Sequence, residues 1–183
     1  NTIAEGEVLQ LLNCHDASVD VDNYMRVIHC KTAKLFEAAM RLGAILGKAN
    51  AADEQAAAEY GMHLGTAFQL IDDVLDYSAD EQQTGKHLGD DLAEGKPTLP
   101  LIYAMQHGAP GQAAVVRGAI EQGDVGRFDE VLRIIHVTGA LEFTRRQALR
   151  ESESACAAIA ALADSKYKQC LLELANFAAT RQF

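Results

Sequence analysis

A chain of 183 residues is long enough to bury a core and short enough for one domain, so residues 1–183 are expected to fold as a single domain. Its formal net charge of −10 disfavours nucleic acid or an anionic membrane as the main partner, while leaving room for a local cationic patch that binds phosphate. Hydrophobic residues at 49%, only three prolines, alanine runs at 51–52, 56–58 and 155–163, and few β-branched or aromatic clusters point to an all-α fold. Cys14, Cys30, Cys156 and Cys170 have no CxxC spacing, as expected of reduced thiols in a cytoplasmic protein. No 18-residue apolar run and no signal peptide are visible, so no transmembrane segment is expected.

The chain opens on Asn1, and residues 3–12 read as the later part of a helix; a piece of a longer protein is expected. Residues 3–13 carry Ile3, Val8, Leu9, Leu11 and Leu12, an amphipathic helix with Glu5 and Glu7 on its polar side. After a turn at Asp16–Ser18, Asp20 or Asp22 caps a long helix over 22–47, ended by Gly47-Lys48. Asp53 starts the next, over 53–81, roughly 40 Å long at ~1.5 Å per residue. It is apolar around most of its circumference, which marks a central helix. Gly61 and Gly65 would let a neighbour approach closely. Residues 82–96 read as a glycine-punctuated loop, which includes Asp90-Asp91. A short helix follows from Pro97–Pro100 to about Gln106. Further helices are expected near 111–121, 125–137, 139–162 and 164–182, the last two as a packing cover.

One stretch stands out, Phe68 to Tyr77. Asp72, Asp73 and Asp76 interrupt an apolar run, and with Gln69 they form one helical stripe, since residues three and four apart share a face. No Lys or Arg lies between Lys48 and Lys86, so the stripe has no counter-charge nearby in sequence. Buried carboxylates without partners are penalised or protonate. The stripe is therefore either a solvated acidic face or, given its apolar flanks, a site for a hard cation such as Mg²⁺, with Gln69 pointing into the same cavity. Lys86 and Lys96 each follow a glycine just beyond this helix. They are ordinary loop lysines or phosphate ligands. Gly95-Lys96-Pro97-Thr98 is not a P-loop, because Asp90 stands where the first glycine is required and no strand precedes it. Lys31-Thr32 sits mid-helix among apolar residues, as a snorkelling lysine or a site residue. The six histidines show no ligand spacing and read as structural; Arg145-Arg146 reads as surface charge.

Taken together, Phe68-Gln-Leu-Ile-Asp-Asp-Val-Leu-Asp76, Gly85-Lys86 and Gly89-Asp-Asp-Leu-Ala-Glu-Gly-Lys-Pro-Thr-Leu-Pro100 resemble the second aspartate-rich region of the trans-isoprenyl diphosphate synthases. Tyr24-x-x-x-Ile28-x-x-Lys31-Thr32-Ala-x-Leu-Phe36 resembles the family's Lys-Thr helix, and Glu5-Gly6-Glu7 the segment before it. Among subfamilies the likeness is closest to the bacterial octaprenyl diphosphate synthases. The resemblance implies an isoprenoid-synthase-type helical bundle and a homodimer. It also implies a prenyltransferase joining an allylic diphosphate (farnesyl diphosphate or longer) to isopentenyl diphosphate, giving a long-chain all-trans product. Asp72, Asp73 and Asp76 would hold Mg²⁺ on the allylic diphosphate, with Asp91 in the outer shell; Lys86 and Lys96 would bind that diphosphate. Lys31, Thr32 and Gln69 would stabilise the developing allylic cation. The family's first aspartate-rich motif and its basic residues for isopentenyl diphosphate have no counterpart here, so the resemblance covers a C-terminal half and the piece alone is expected to be inactive. A non-catalytic synthase subunit and a terpene cyclase of the same fold are the alternatives. The retained aspartates weigh against the first, and Lys31-Thr32 with Gly95–Thr98 against the second.

Overall fold

The segment bearing the aspartates is the axis of the structure. In the computed structural model, which describes residues 1–78 and 88–181, the helices are α1 (Thr2–Asn13), α2 (Val21–Ile28), α3 (Lys34–Leu46), α4 (Ala51–Leu75), α5 (Asp90–Ala93), α6 (Leu99–His107), α7 (Pro110–Gln122), α8 (Phe128–Thr138), α9 (Ala140–Ala158) and α10 (Lys166–Thr180). A π turn (His29–Ala33) joins α2 to α3, and a 3₁₀ turn (Val125–Arg127) precedes α8. Among the described residues there is no strand, and no helix is long and apolar enough to cross a membrane.

Ala67, Leu70, Ile71 and Val74 of α4 are wholly buried, as an all-round apolar helix requires. α4 packs most extensively against α9 and α3, with α10 and the π turn also against it. Gly61 and Gly65 make the α3 approach possible: a Cβ on Gly61 would lie 2.5 Å from the Phe36 carbonyl oxygen, and one on Gly65 2.6 Å from Ala33 Cα. α4 begins two residues before the expected start, because the Asn50 side chain accepts from Asp53 N at 2.9 Å and caps it. It ends at Leu75 rather than 81. There the hydrogen bonding tightens to i→i−3, Tyr77 N on Val74 O and Ser78 N on Leu75 O, and the Ser78 hydroxyl also donates to Val74 O.

Three apolar clusters surround this axis. One joins Tyr24, Ile28, Leu70, Ile71, Leu75, Leu99 and Ile102 and forms the floor beneath the aspartates. A second joins Tyr77, Leu92, Leu101, Ile120 and Ile135 under α6 to α8. The third joins Tyr60, Leu64, Ile159 and Ala175, where the Tyr60 hydroxyl donates to Leu171 O and the Ser152 hydroxyl to Ala175 O, fastening α10 to the core.

Three expectations are corrected. The helix expected over 22–47 is one helical path, but a π turn at His29–Ala33 widens it where Lys31 and Thr32 sit; such turns recur at functional sites. Asp90-Asp91 belongs to a short helix rather than a loop: both carboxylates lie in the first turn, where the helix dipole favours them, and Gly89 precedes it at φ +82°. α1 is turned the other way from its expected polarity. Gly6 is its buried contact; the half-exposed glutamates flank it, Glu5 pairing with Arg26 at 3.2 Å and Glu7 with Lys31 at 3.4 Å, while Ile3, Val8, Leu11 and Leu12 are exposed. The close approach is made at Gly6, since a Cβ there would lie 2.5 Å from the Lys31 backbone nitrogen, and the exposed ion pairs add little to it.

Candidate active site

Four side chains from three elements form a continuous hydrogen-bonded chain. Asp73 and Gln69 are one turn apart on α4, so the Gln69 amide nitrogen reaches Asp73 Oδ1 at 2.9 Å. The other carboxylate oxygen, Oδ2, accepts from the Tyr24 hydroxyl of α2 at 2.6 Å. The Thr32 hydroxyl of the π turn donates to Gln69 Oε1 at 3.0 Å. Gln69 is thus fixed in one orientation, its oxygen toward Thr32 and its nitrogen toward Asp73. Both Tyr24 and Asp73 are buried. Burial pushes the Asp73 carboxyl well above the usual carboxylate range, and the negative charge of Asp91 pushes the same way; the bonds from Tyr24 and Gln69 pull it down without cancelling this.

The neighbouring carboxylates are crowded. Asp76 is pushed up to about 7, first by burial and then by Asp91, although its Oδ2 accepts from Asp91 N at 3.3 Å. Burial also raises the Asp91 carboxyl, against the pull of Lys96, whose ammonium lies 3.1 Å away. That ammonium reaches Glu94 at 2.9 Å as well; burial alone would lower it, but the two carboxylates outweigh burial and hold it above its ordinary value. Asp72 lies 3.7 Å from the Arg181 guanidinium, which stacks over the Phe68 ring at 4.1 Å and donates to Phe68 O. Lys31 donates to Gln10 Oε1 at 2.6 Å, so α1 holds the amine at the rim.

These groups enclose a cavity of about 130 Å³. Asp72, Asp73 and Asp91 line it on the acidic side, and Lys31, Thr32, Gln69 and Lys96 complete the polar wall. Val19, Val27, Ile28 and Pro97 supply its apolar surface. Asp76 is held one turn further along, on the backbone of Asp91. Lys86 lies outside the described residues.

Among the described residues, no three His, Cys, Asp or Glu side chains converge as a closed metal-holding group. The donor set nevertheless fits a hard divalent cation shared with a ligand's own oxygens. Asp72 faces the cavity, and the carboxyls of Asp73, Asp76 and Asp91 are all raised by burial and mutual repulsion that a cation would relieve.

A polyprenyl synthetase family profile matches residues 1–135, most of the chain. The chain belongs to the polyprenyl synthetase family. The octaprenyl diphosphate synthase of Escherichia coli K12 is 52% identical over 183 residues, covering 99% of this chain and 56% of that protein. A polyprenyl synthase from Caulobacter crescentus, solved with calcium and isoprenyl diphosphate, superposes with a TM-score of 0.94 at 39% identity over 100% of this chain and 56% of that one. A geranylgeranyl pyrophosphate synthase from Corynebacterium glutamicum, solved with isoprenyl diphosphate and magnesium, superposes at 0.89 with 27% identity over 98% and 52%. The chain spans about half the length of the relatives it matches.

Two polyprenyl-synthetase site residues carried no assigned role from sequence. Tyr24 entered only as the first residue of the Lys-Thr helix pattern, yet it grips Asp73; the available signal was its spacing of seven from Lys31, two turns on one helical face. Arg181 supplies a counter-charge that the local sequence around Asp72 lacks. It comes from the far end of the chain, where no spacing argument reaches.

Proposed function

We propose that the longer protein corresponding to the matched relatives is a chain-elongating prenyltransferase. It condenses an allylic diphosphate (farnesyl diphosphate or longer) head to tail with isopentenyl diphosphate, giving a long-chain all-trans polyprenyl diphosphate. The observation that carries this reading is the single cavity facing Asp72, Asp73 and Asp91 toward Lys31, Thr32, Gln69 and Lys96. Carboxylates for a cation, an amine for phosphate oxygens and fixed dipoles beside an apolar wall are what ionisation of an allylic diphosphate requires. The octaprenyl product and a homodimer in the cytoplasm are part of the proposal, supported by the likeness to octaprenyl diphosphate synthase.

Asp72, Asp73 and Asp76 would hold Mg²⁺, with Asp91 in the outer shell. The bound ion would supply Lewis-acid neutralisation of the leaving diphosphate. Lys96 exchanges its contacts with Asp91 and Glu94 for the diphosphate oxygens, and Lys86 joins it there. As the allylic carbon–oxygen bond breaks, its electron pair leaves with the diphosphate. The Thr32 hydroxyl oxygen and the Gln69 amide, held by the Tyr24–Asp73 chain, face the carbon that becomes positive. Lys31 borders the same end. The double bond of isopentenyl diphosphate then attacks this carbon, and loss of a proton restores a double bond in the product. Val19, Val27 and Ile28 keep water from the cation.

The 183-residue chain by itself is proposed to have no turnover, because among the described residues the aspartates of α4 face no second aspartate-rich helix apart from the short α5. Incubating it, and separately the full-length protein, with Mg²⁺, farnesyl diphosphate and labelled isopentenyl diphosphate tests both statements. Labelled polyprenyl product is expected from the full-length protein alone. Product from the 183-residue chain overturns the claim of inactivity, and none from the full-length protein overturns the assignment.

A further inference from the structure

Lys96 reaches the cavity wall through a peptide unit that is pinned at both ends. Its own N–H donates to Asp91 O at 2.9 Å. The carbonyl of the same unit, on Gly95, accepts from the backbone N–H of His15 at 2.8 Å. The first bond is local to α5, whereas the second comes from a residue 80 positions earlier, just past the end of α1. His15 makes it from the left-handed region, at φ +62°, a conformation in which histidine is one of the few enriched residues besides glycine. Gly95 also lies there, at φ +66°, and a Cβ on it would run into the His15 ring. The ring is anchored in turn: Nδ1 lies 3.2 Å from the Ile120 carbonyl near the end of α7 and therefore donates to it, in the tautomer protonated at that nitrogen. A Cβ on Gly123 would lie 3.3 Å from the ring's Cε1. One surface histidine thus ties together the end of α1, the Gly95-Lys96 segment and the end of α7.

We propose that His15 is a positioning residue for Lys96. Its left-handed backbone and ring bond hold the Gly95–Lys96 peptide in the orientation that brings the ammonium to the cavity, and so set the affinity for the allylic diphosphate. This rests on the prenyl-transfer reading above. His15 does not line the cavity and is an exposed residue outside the apolar clusters, so replacing it disturbs the core little.

The test uses the full-length protein with His15→Ala and His15→Asn. Alanine removes the ring bond and strains residue 15 away from φ > 0; asparagine tolerates that region and keeps an N–H that can reach Ile120 O. Two readouts are taken. Hydrogen exchange over residues 95–98 is expected to speed about tenfold in His15→Ala, with exchange elsewhere unchanged, and to return toward the wild-type rate in His15→Asn. Steady-state kinetics are expected to show KM for farnesyl diphosphate up about tenfold in His15→Ala, kcat within about twofold, KM for isopentenyl diphosphate unmoved, and recovery with asparagine. Unchanged exchange at 95–98 in His15→Ala overturns the proposal, as does a fall in kcat with KM unmoved. If the wild-type protein shows no turnover at all, the prenyl-transfer reading fails, and the exchange comparison still decides whether His15 holds the segment.

Discussion

Replacing Tyr24 with phenylalanine removes one oxygen from the buried chain and leaves the ring packing in place. The lost bond is 2.6 Å long and ends on a carboxylate that is itself buried. Its worth depends on the charge of Asp73. A hydrogen bond between neutral groups contributes about 1 kcal/mol, and one to a charged group about 1.5–3 kcal/mol. Because burial and Asp91 raise the Asp73 carboxyl well above its ordinary value, the group passes from neutral to ionised far above the usual carboxylate range. Loss of the Tyr24 hydroxyl raises it further, so the cost of the substitution grows as pH rises through that transition. At ~2–4 °C per kcal/mol for a chain of this size, the expected fall in Tm is roughly 2–4 °C where Asp73 is neutral and roughly 4–8 °C where it is ionised. Thermal melts of the 183-residue chain and its Tyr24→Phe variant across a pH series measure this. A cost that stays constant across the series, or falls as pH rises, would refute the coupling of Tyr24 to a titrating Asp73.

Other substitutions probe separate parts of the same arrangement. Gly6→Ala places a Cβ 2.5 Å from the Lys31 backbone nitrogen, so α1 must shift; a loss of about 1–3 kcal/mol in urea unfolding is expected, and an unchanged midpoint would show that α1 docks loosely. Burial and then Asp91 push the Asp76 carboxyl in the folded chain up to about 7, above its ordinary value of 3.8, so the stability linked to it is fully present below about pH 4 and is lost as pH rises through about 7. Asp76→Asn should therefore match the wild-type chain near pH 4 and exceed it in Tm near pH 8; a parallel decline of both proteins would contradict this. Inorganic diphosphate with Mg²⁺ should raise the Tm of the full-length protein, as any ligand selective for the folded state does, and Lys96→Ala should weaken that shift.

The helical plan was legible because helical periodicity survives tertiary context: each expected helix among the described residues has a counterpart. The aspartate stripe was legible for a different reason, since three carboxylates in an apolar run conflict with burial unless something compensates them. What compensates them was less legible. Tyr24 acts across 49 residues and Arg181 across more than 100, distances over which no local pattern carries information. The π turn leaves the apolar spacing nearly helical, so residues 22–47 read as one regular helix. The orientation of α1 was missed because periodicity identifies two faces without saying which one meets the protein. The contact of Gly6 with the Lys31 backbone marks the face that meets the protein, and it appears only when α1 and the π turn are brought together. The left-handed His15 was invisible for a similar reason, as histidine is common in helices and loops alike.

Asp72 lines the cavity from α4 beside the buried Asp73 and meets Arg181 at its edge, so it tests the proposed chemistry most directly. Turnover of farnesyl diphosphate and labelled isopentenyl diphosphate by the full-length protein should fall by about two orders of magnitude or more in Asp72→Ala, with circular dichroism and oligomeric state unchanged. Wild-type turnover in that variant would contradict the assignment of the aspartate stripe to diphosphate ionisation.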